Sequence, residues 1–276
     1  MAVIKLHQNR VNPLVLPVIL ADQLGMFKKQ QVTVDLRLAE TFQFNGKSEF
    51  MTGEVDAMMG DTTFFFYYLK DGKYAKITSN LTRTIQIVGN QDVTAETALQ
   101  IGVNRKGLFR FFQEHFLTGQ LKKAQVVWLN NTFERIQAMR DKEINGLVAI
   151  EPFITDVLTE FQGEVLWHSK DIPHYFVMWC FAGQFIDEHP QTVRNFHLAL
   201  SEAAEYFNQL SPSAKVSCCR DIAGYSQDLA DRMSHFVFEE QGNYQVEDFD
   251  LCQKWLFKEG EILELYEASD YLFPGI

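Results

Sequence analysis

Two segments near the start of the chain predict repeated helix-to-strand units. In the first, residues 17–27 contain a helix that Gly25 ends, and residues 32–36 alternate apolar and polar side chains as a half-buried strand does. In the second, Gly53 ends a helix, and a short apolar strand leads to Gly60-Asp61-Thr62 at the next helix start. Units of this kind are typical of α/β proteins with largely parallel sheets.

The same alternation continues along most of the chain. Further strands are predicted at 3–6, 55–59, 75–78, 85–88, 99–103, 126–129, 147–150 and 176–181. Further helices are predicted at 46–52, 62–69 and 108–116, and Thr132 is the predicted cap of another. Pro190 lies near the first turn of a long helix whose apolar face is formed by residues 193, 196, 200, 203 and 207. Two more helical stretches follow, around 229–238 and 249–266.

Composition and charge exclude several classes of protein. The 276 residues are 46% apolar and 22% charged, which is ordinary for a soluble globular protein of one large or two modest domains. No apolar run approaches the roughly 20 residues that a membrane span needs. The net charge of −11 argues against nucleic acid and anionic membranes as partners.

The start of the chain and its cysteines bear on the compartment. Residues 1–6 already have the pattern of a strand, with no basic segment, long apolar segment or cleavage site of a secretory signal. Adjacent Cys218 and Cys219, with Cys180 and Cys252, form neither a metal-type spacing nor a disulfide framework, and unpaired thiols favour a reducing compartment. We expect a cytoplasmic location if the sequence is complete as written. The alternative is that a signal segment has been removed.

The two opening segments, together with residues 185–190 (Phe-Ile-Asp-Glu-His-Pro), resemble the solute-binding proteins of ABC importers. The resemblance is to the family that binds alkanesulfonates, nitrate and thiamine pyrimidines. It implies a type 2 periplasmic-binding fold, in which two α/β lobes with mixed, mostly parallel sheets are joined by two crossing strands and hold a ligand in the cleft between them. Residues 1–82 plus 176–276 would form lobe one, and 83–175 lobe two. The resemblance also implies permease subunits as partners and an extracytoplasmic location, periplasmic or lipid-anchored.

The carboxyl ends of the predicted strands supply the candidate ligand residues, because sheets of this kind place ligands outside those ends. Gly60 allows close backbone approach, and the helix start after it offers a hydroxyl and free N–H groups. The candidates are Asn9, Asn12, Thr41, Asp61, Thr62, Asn104, Arg105, Asn130, Glu151 and Trp179.

Several candidates have a structural alternative. Asp61, Thr62 and Thr132 could be helix caps only. Glu151, after a buried strand and before Pro152, needs a donor or a cation, which is either the ligand's amine or a nearby lysine or arginine. In the aromatic run 64–68 most side chains must pack in the core, so Trp128 and Trp179, at or near strand ends, are better candidates for stacking.

Several other chemistries are not supported. Gly102 and Gly107 have the glycine spacing of a phosphate-binding loop, but Leu108 and Phe109 stand where its lysine and hydroxyl residue should follow. The seven histidines lack metal-site spacing, and no Gly-x-Ser-x-Gly nucleophile motif occurs. We therefore expect neither a metal nor a cofactor.

Three functions remain open. The leading one is a non-enzymatic substrate-binding protein whose lobes close over a small polar or heteroaromatic molecule, such as a thiamine pyrimidine or a sulfonate. The second is a cytosolic enzyme on the same scaffold, similar to the menaquinone-pathway lyases or the yeast-type pyrimidine synthases. The synthases carry a cysteine-rich cluster on the strand at 176–181, whereas this chain has only Cys180 there. The third is a ligand-sensing regulatory module, although no helix-turn-helix segment or basic stripe is present.

Overall fold

The computed structural model of the protein describes residues 2–40, 49–93, 98–117 and 124–275. The chain forms two compact units: unit 1 is Met1–Thr82 with Tyr175–Ile276, and unit 2 is Arg83–His174. Among the described residues no helix is long and apolar enough to cross a membrane. The assignment of the units as two ligand-binding lobes stays a prediction.

Strands and helices alternate through both units. The strands are β1 (Val3–Asn9), β2 (Thr33–Ala39), β3 (Ala57–Asp61), β4 (Ala75–Thr82), β5 (Gln86–Gly89), β6 (Gln100–Val103), β7 (Gln125–Trp128), β8 (Gly146–Ala149), β9 (Glu164–His168) and β10 (Val177–Ala182). The α-helices are α1 (Leu16–Gln23), α2 (Met26–Lys29), α3 (Glu49–Thr52), α4 (Thr62–Lys70), α5 (Leu108–Phe112), α6 (Thr132–Arg140), α7 (Phe153–Glu160), α8 (Gly183–Glu188), α9 (Pro190–Gln209), α10 (Pro212–Asp221), α11 (Gln227–Met233), α12 (Val246–Lys258) and α13 (Ala268–Tyr271).

Unit 1 contains a pair of parallel strands and a three-stranded antiparallel sheet. β1 and β2 are parallel, and β10 lies between β3 and β4, antiparallel to both. Two hydrogen bonds join β1 to the residue before β3, from Lys5 N to Asp56 Oδ2 (2.8 Å) and from Asp56 N to Lys5 O (2.9 Å). The carboxyl ends of β1 and β3 carry the predicted residues Asn9 and Asp61.

The core of unit 1 forms where α1 and α9 pack together. All five residues of the predicted apolar face of α9 are buried, and Phe196 on that face stacks on Phe27 with ring centroids 5.5 Å apart. Pro190 is the first residue of α9, as predicted, because its missing N–H would be unpaired there in any case. Gly25 follows α1 with φ of +73°, a conformation that glycine adopts without strain.

Unit 2 contains one five-stranded sheet in the order β7-β6-β8-β5-β9. β7, β6 and β8 are parallel, whereas β5 is antiparallel to both of its neighbours. The carboxyl ends of β7, β6, β8 and β9 therefore lie at the same edge as the amino end of β5. We call this edge the strand-end edge of unit 2.

The predicted α/β class with mixed sheets is confirmed, but two elements of unit 2 were not predicted. These are α7 and β9, which follow Pro152. β9 is an edge strand with two exposed residues, Glu164 and Val165, so it lacks the continuous apolar pattern of a central strand.

Candidate functional site

Three predicted residues follow three adjacent parallel strands at the strand-end edge of unit 2. Asn130 comes two residues after β7, Asn104 directly after β6, and Glu151 two residues after β8. Neighbouring strands are about 4.8 Å apart, so the three positions span about 10 Å of the edge. These three residues lie up to 47 positions apart in the sequence, and the fold brings them to one edge of the sheet.

Asn104 is held by protein partners on both sides of its amide. Its Nδ2 donates to the carbonyl of Asn130 at 3.2 Å, and its Oδ1 accepts a hydrogen bond from Arg135 Nη1. The side chain of Asn104 therefore links β6 to the β7 loop and acts as a positioning group.

Arg135, which sequence reasoning missed, is completely buried beneath Asn104. Its Nη2 donates to Thr132 Oγ1 at 2.6 Å, and its guanidinium lies 5.1 Å from the ring centroid of Phe109. Burial lowers the pKa of Arg135 to about 10, and the charge of Glu134 opposes that shift. A guanidinium keeps its proton at neutral pH even so, which leaves a buried positive charge held by neutral partners.

Gly102 makes room for that buried arginine. A Cβ added at Gly102 would lie 3.1 Å from Cγ of Arg135 and 2.8 Å from Cδ1 of Ile144. The aliphatic stem of Arg135 thus packs directly on the backbone of β6. Packing explains this glycine better than a phosphate-binding loop does.

The helix after β7 is capped one residue earlier than predicted. Asn131, not Thr132, is the cap of α6: its side chain accepts from Glu134 N at 2.9 Å, and Glu134 Oε2 accepts from Asn130 N at 2.8 Å. The bond to Asn131 is an ordinary N-cap, and Glu134 reaches back to the N–H of the residue before the cap. Asn130 is exposed, but the paired backbone N–H leaves only its side-chain amide for a ligand.

Glu151 receives two hydrogen bonds from one residue of the helix that follows it. Its Oε2 accepts from Thr155 N (3.0 Å) and from Thr155 Oγ1 (2.9 Å). Partial burial, and then the charges of Glu151 and Glu160, raise the pKa of Asp156. The carboxylates of Glu151 and Asp156 therefore lie near each other, and the charge of Arg140 opposes the shift at Asp156.

Two cationic or aromatic candidates lie near the ends of β6 and β7. Arg105 is exposed in the loop before α5. Trp128 is the last residue of β7, is 36% exposed, and has the guanidinium of Arg110 5.9 Å from its ring centroid. The predicted position of Trp128 at a strand end is confirmed.

Gln86 is a second residue that the sequence did not reveal. It begins β5, opposite Ala149 of β8 and His168 of β9, and its Oε1 is buried without a hydrogen-bond partner among the described residues. Ligand groups were expected at the carboxyl ends of strands only, and the direction of a strand cannot be read from its sequence. Because β5 is antiparallel, its amino end lies at the same edge as Glu151.

In unit 1, Asp61 and Thr62 are held by their own surroundings. Asp61 caps α4, where its Oδ1 accepts from Phe64 N at 3.0 Å and from the Thr63 hydroxyl. Burial raises the pKa of Asp61, and these hydrogen bonds oppose the shift. Thr62 is completely buried; its hydroxyl donates to Phe176 O at 3.1 Å and lies 2.6 Å from Tyr244 Oη.

Comparisons with known proteins give the fold its name. The periplasmic aliphatic sulphonate binding protein SsuA from Escherichia coli superposes with a TM-score of 0.79 over 99% of this chain and 92% of its own, at 10% identity. The ligand binding component of an ABC-type import system from Staphylococcus aureus gives 0.75 over 99% and 97%, at 14% identity. A Candida albicans protein described as having the generic periplasmic binding protein structural fold gives 0.66 over 97% and 93%, at 15% identity.

The chain has the periplasmic binding protein fold. The predicted resemblance to SsuA-like solute-binding proteins is thereby confirmed at the level of the fold. No protein-family model and no curated protein sequence matches the chain.

The remaining candidates in unit 1 of this periplasmic binding protein fold are placed as follows. Asn9 ends β1 opposite Ala39, and Asn12 accepts a hydrogen bond from Leu14 N at 3.0 Å, so it caps a short 3-10 turn. Thr41 lies outside the described residues.

Trp179 does not lie at a strand end as expected. It is the third residue of β10, is 1% exposed, and packs edge-on against Phe196 with ring centroids 5.3 Å apart. The central position of β10 between two strands buries it, so it cannot stack on a ligand from this position. The aromatic run of α4 is largely core, as predicted: Phe65, Phe66 and Tyr68 are buried.

Proposed function

We propose that the chain is the extracytoplasmic substrate-binding component of an ABC importer and captures a small polar or heteroaromatic molecule. The observation that carries this proposal is the likeness in fold, over nearly the whole chain, to a ligand binding component of an ABC-type import system and to a sulphonate binder. Because the likeness covers both units, it favours a shared binding mechanism over the reuse of a single domain.

The strand-end edge of unit 2 supports a binding role. It combines an exposed cation (Arg105), an exposed amide (Asn130) and a carboxylate (Glu151), which follow three adjacent hydrogen-bonded strands. Preformed polar groups at strand ends orient a small ligand at low entropic cost. Asn9 and Asn12 are proposed as the contribution of unit 1, whereas the hydrogen-bonding groups of Asp61 and Thr62 already meet protein partners.

The ligand is proposed to be thiamine-pyrimidine-like, or a sulfonate or related small organic molecule. Glu151 suits an amino group or a protonated ring, whereas Arg105 suits a sulfonate or carboxylate. The permease subunits of the importer are the proposed protein partners. Closure of the two units over the ligand is a prediction from the resemblance.

The enzyme alternative is less well supported. The cysteine that would link the chain to the pyrimidine synthases, Cys180, is completely buried in β10, and burial raises the pKa of its thiol. A buried, protonated thiol is a poor nucleophile and a poor metal ligand.

Native mass spectrometry of the purified full-length protein, incubated with a bacterial metabolite extract, tests the proposal. A binding protein retains a small molecule at one per chain, and the mass of that molecule stays the same over hours. Conversion of the bound molecule into a new mass would support the enzyme alternative. Failure to retain any molecule would contradict the proposal.

A further inference from the structure

A surface of unit 1 outside the predicted binding residues exposes large apolar side chains. Helix α12 buries Phe249, Cys252 and Leu256 on its inner face. Its outer face and the segment after it expose four large apolar side chains by 47–79%: Val246, Phe257, Leu263 and Leu265. We call the outer face of α12, together with Leu263 and Leu265, the α12 surface.

The α12 surface has room for a side chain of another molecule. Val246 and Leu265 line a groove of about 780 Å³, and so do the nearly buried rings of Tyr244 and Phe273. Large apolar side chains that are grouped on one surface mark a site of protein contact, whereas single exposed ones need no explanation. The α12 surface is therefore a candidate interface.

Charged side chains divide the outer face of α12 into an acidic half and a basic half. Glu247 and Asp250 belong to the first half, and Lys254 and Lys258 to the second. Lys254 Nζ lies 2.9 Å from Asp250 Oδ2, whereas Glu247 and Lys258 make no hydrogen bond or ion pair with another described residue. This order of charges suits the dipole of any helix, and here apolar side chains share the same face.

The outer face of α12 is complementary to a reversed copy of itself. At about 3.6 residues per turn, Glu247 and Lys258 lie on one side of this face, and Val246 and Phe257 on the other. When two copies of α12 lie antiparallel about a two-fold axis at the level of Cys252, Glu247 of one comes within about 1.5 Å in height of Lys258 of the other. Val246 meets Phe257 of the second copy in the same way, and the symmetry makes each pair occur twice.

We propose that the α12 surface is the contact through which two copies of this chain form a weak antiparallel homodimer. The Asp250–Lys254 pairs of the two copies lie together near the two-fold axis, as a group of alternating charges. Phe257 of each copy covers the groove beside Val246 of the other. The inference does not depend on the proposed binding function.

The size of the contact predicts its strength. The 13 residues of α12 span about 20 Å, so the interface is smaller than the roughly 800 Å² per partner of a standard stable complex. The net charge of −11 also opposes the association of two copies. We therefore expect a dissociation constant in the micromolar range and rapid, reversible exchange.

Sedimentation velocity of the full chain, from about 1 μM to about 500 μM, tests the dimer. The wild-type protein should change from monomer to dimer as the concentration rises. Phe257→Asp should weaken the dimer at least about tenfold, because each dimer loses two apolar contacts and gains two buried charges. Leu198→Asp is the matched control, since Leu198 is a helical residue of nearly equal exposure (48%) on α9, and it should leave the dimer unchanged.

Charge reversal identifies a second copy as the occupant. Lys258→Glu and Glu247→Lys should each weaken the dimer at least about tenfold, because the symmetry turns two attractive pairs into two repulsive ones. A mixture of these two variants should form a heterodimer about as tight as the wild-type dimer, since opposite charges then face each other at both sites. An effect confined to one chain, such as a change at the helix dipole, cannot produce this rescue. Circular dichroism checks that each variant folds.

A wild-type protein that stays monomeric at every concentration would overturn the proposal, and the α12 surface would then have a different partner or none. An equal effect of Phe257→Asp and Leu198→Asp would overturn the assignment of the contact to α12. If Phe257→Asp fails to fold, the charge variants still decide: a mixture that associates no more tightly than either variant alone would overturn the antiparallel pairing.

Discussion

The strand ends of the two units carry similar polar residues but use them differently. In unit 1, Thr62 is completely buried and its hydroxyl meets two protein partners, and Asp61 caps a helix. In unit 2, Arg105 is exposed without a partner among the described residues, and Gln86 has an unsatisfied buried oxygen. Asp61 and Thr62 of unit 1 are therefore suited to stabilising the fold, and Arg105 and Gln86 of unit 2 to holding a ligand.

The difference also separates two roles that one residue type can have. A polar side chain after a strand is a binding group only if its hydrogen-bonding capacity is not already used by the protein. Asn104 and Asn130 are both asparagines at one edge, yet only Asn130 has an exposed side chain, because Asn104 is fixed by Arg135.

The largest expected effect compares the buried tryptophan of unit 1 with the exposed one of unit 2. Trp179→Ala should lower the free energy of unfolding by about 3–5 kcal/mol, because it leaves a large cavity against Phe196. Trp128→Ala should lower it by under about 1 kcal/mol. Denaturant unfolding followed by circular dichroism measures both. Similar losses of unfolding free energy in the two variants would contradict the distinction between the buried Trp179 and the exposed Trp128.

The pH dependence of stability should reflect another buried group of unit 1. His197 is completely buried, with Nε2 2.9 Å from Thr78 Oγ1, and burial lowers its pKa to about 4 from an ordinary value of 6.5. The folded state therefore binds this proton less readily than the unfolded state. The lowered pKa of His197 therefore contributes on the order of 3 kcal/mol to the free energy of unfolding. This contribution is present above pH 6.5 and is lost as the pH falls towards 4.

His197→Gln isolates that contribution, since glutamine keeps hydrogen-bonding groups but does not titrate. Unfolding free energies measured from pH 8 to pH 4 should fall less steeply in the variant than in the wild-type protein. Parallel curves for the two proteins would show that His197 is protonated equally in the folded and unfolded states, contrary to its burial.

A smaller effect is expected at Thr62. Thr62→Val removes the hydroxyl but keeps the shape, leaving Phe176 O and Tyr244 Oη without that partner, and should cost about 1–3 kcal/mol of unfolding free energy. Thr62→Ser, which keeps the hydroxyl, is the matched control and should lose less. If Thr62→Val were as stable as the wild type but bound ligand poorly, Thr62 would belong to the binding site.

The sequence predicts much of the fold, because local signals suffice for it. The position of Gly25, the apolar face of α9 and the Asp61 cap of α4 follow from spacing and residue type. Strand direction does not follow from local signals, and it is what brings Gln86 to the edge with Glu151. Trp179 was misplaced because the ends of β10 depend on its register with β3 and β4. Arg135 was overlooked because a charged residue on a helix is usually exposed.

The most direct test of the account is native mass spectrometry of three proteins under one condition, after incubation with the same metabolite extract. The wild-type protein should retain a small molecule, and Thr62→Val should retain it in its folded fraction. Glu151→Ala should lose it although its unfolding free energy falls by only about 1–2 kcal/mol, the cost of its two hydrogen bonds from Thr155. Retention of the same molecule by Glu151→Ala at wild-type occupancy would contradict the assignment of the ligand to the strand-end edge of unit 2. Loss of the molecule in Thr62→Val alone would reverse the roles of the two units.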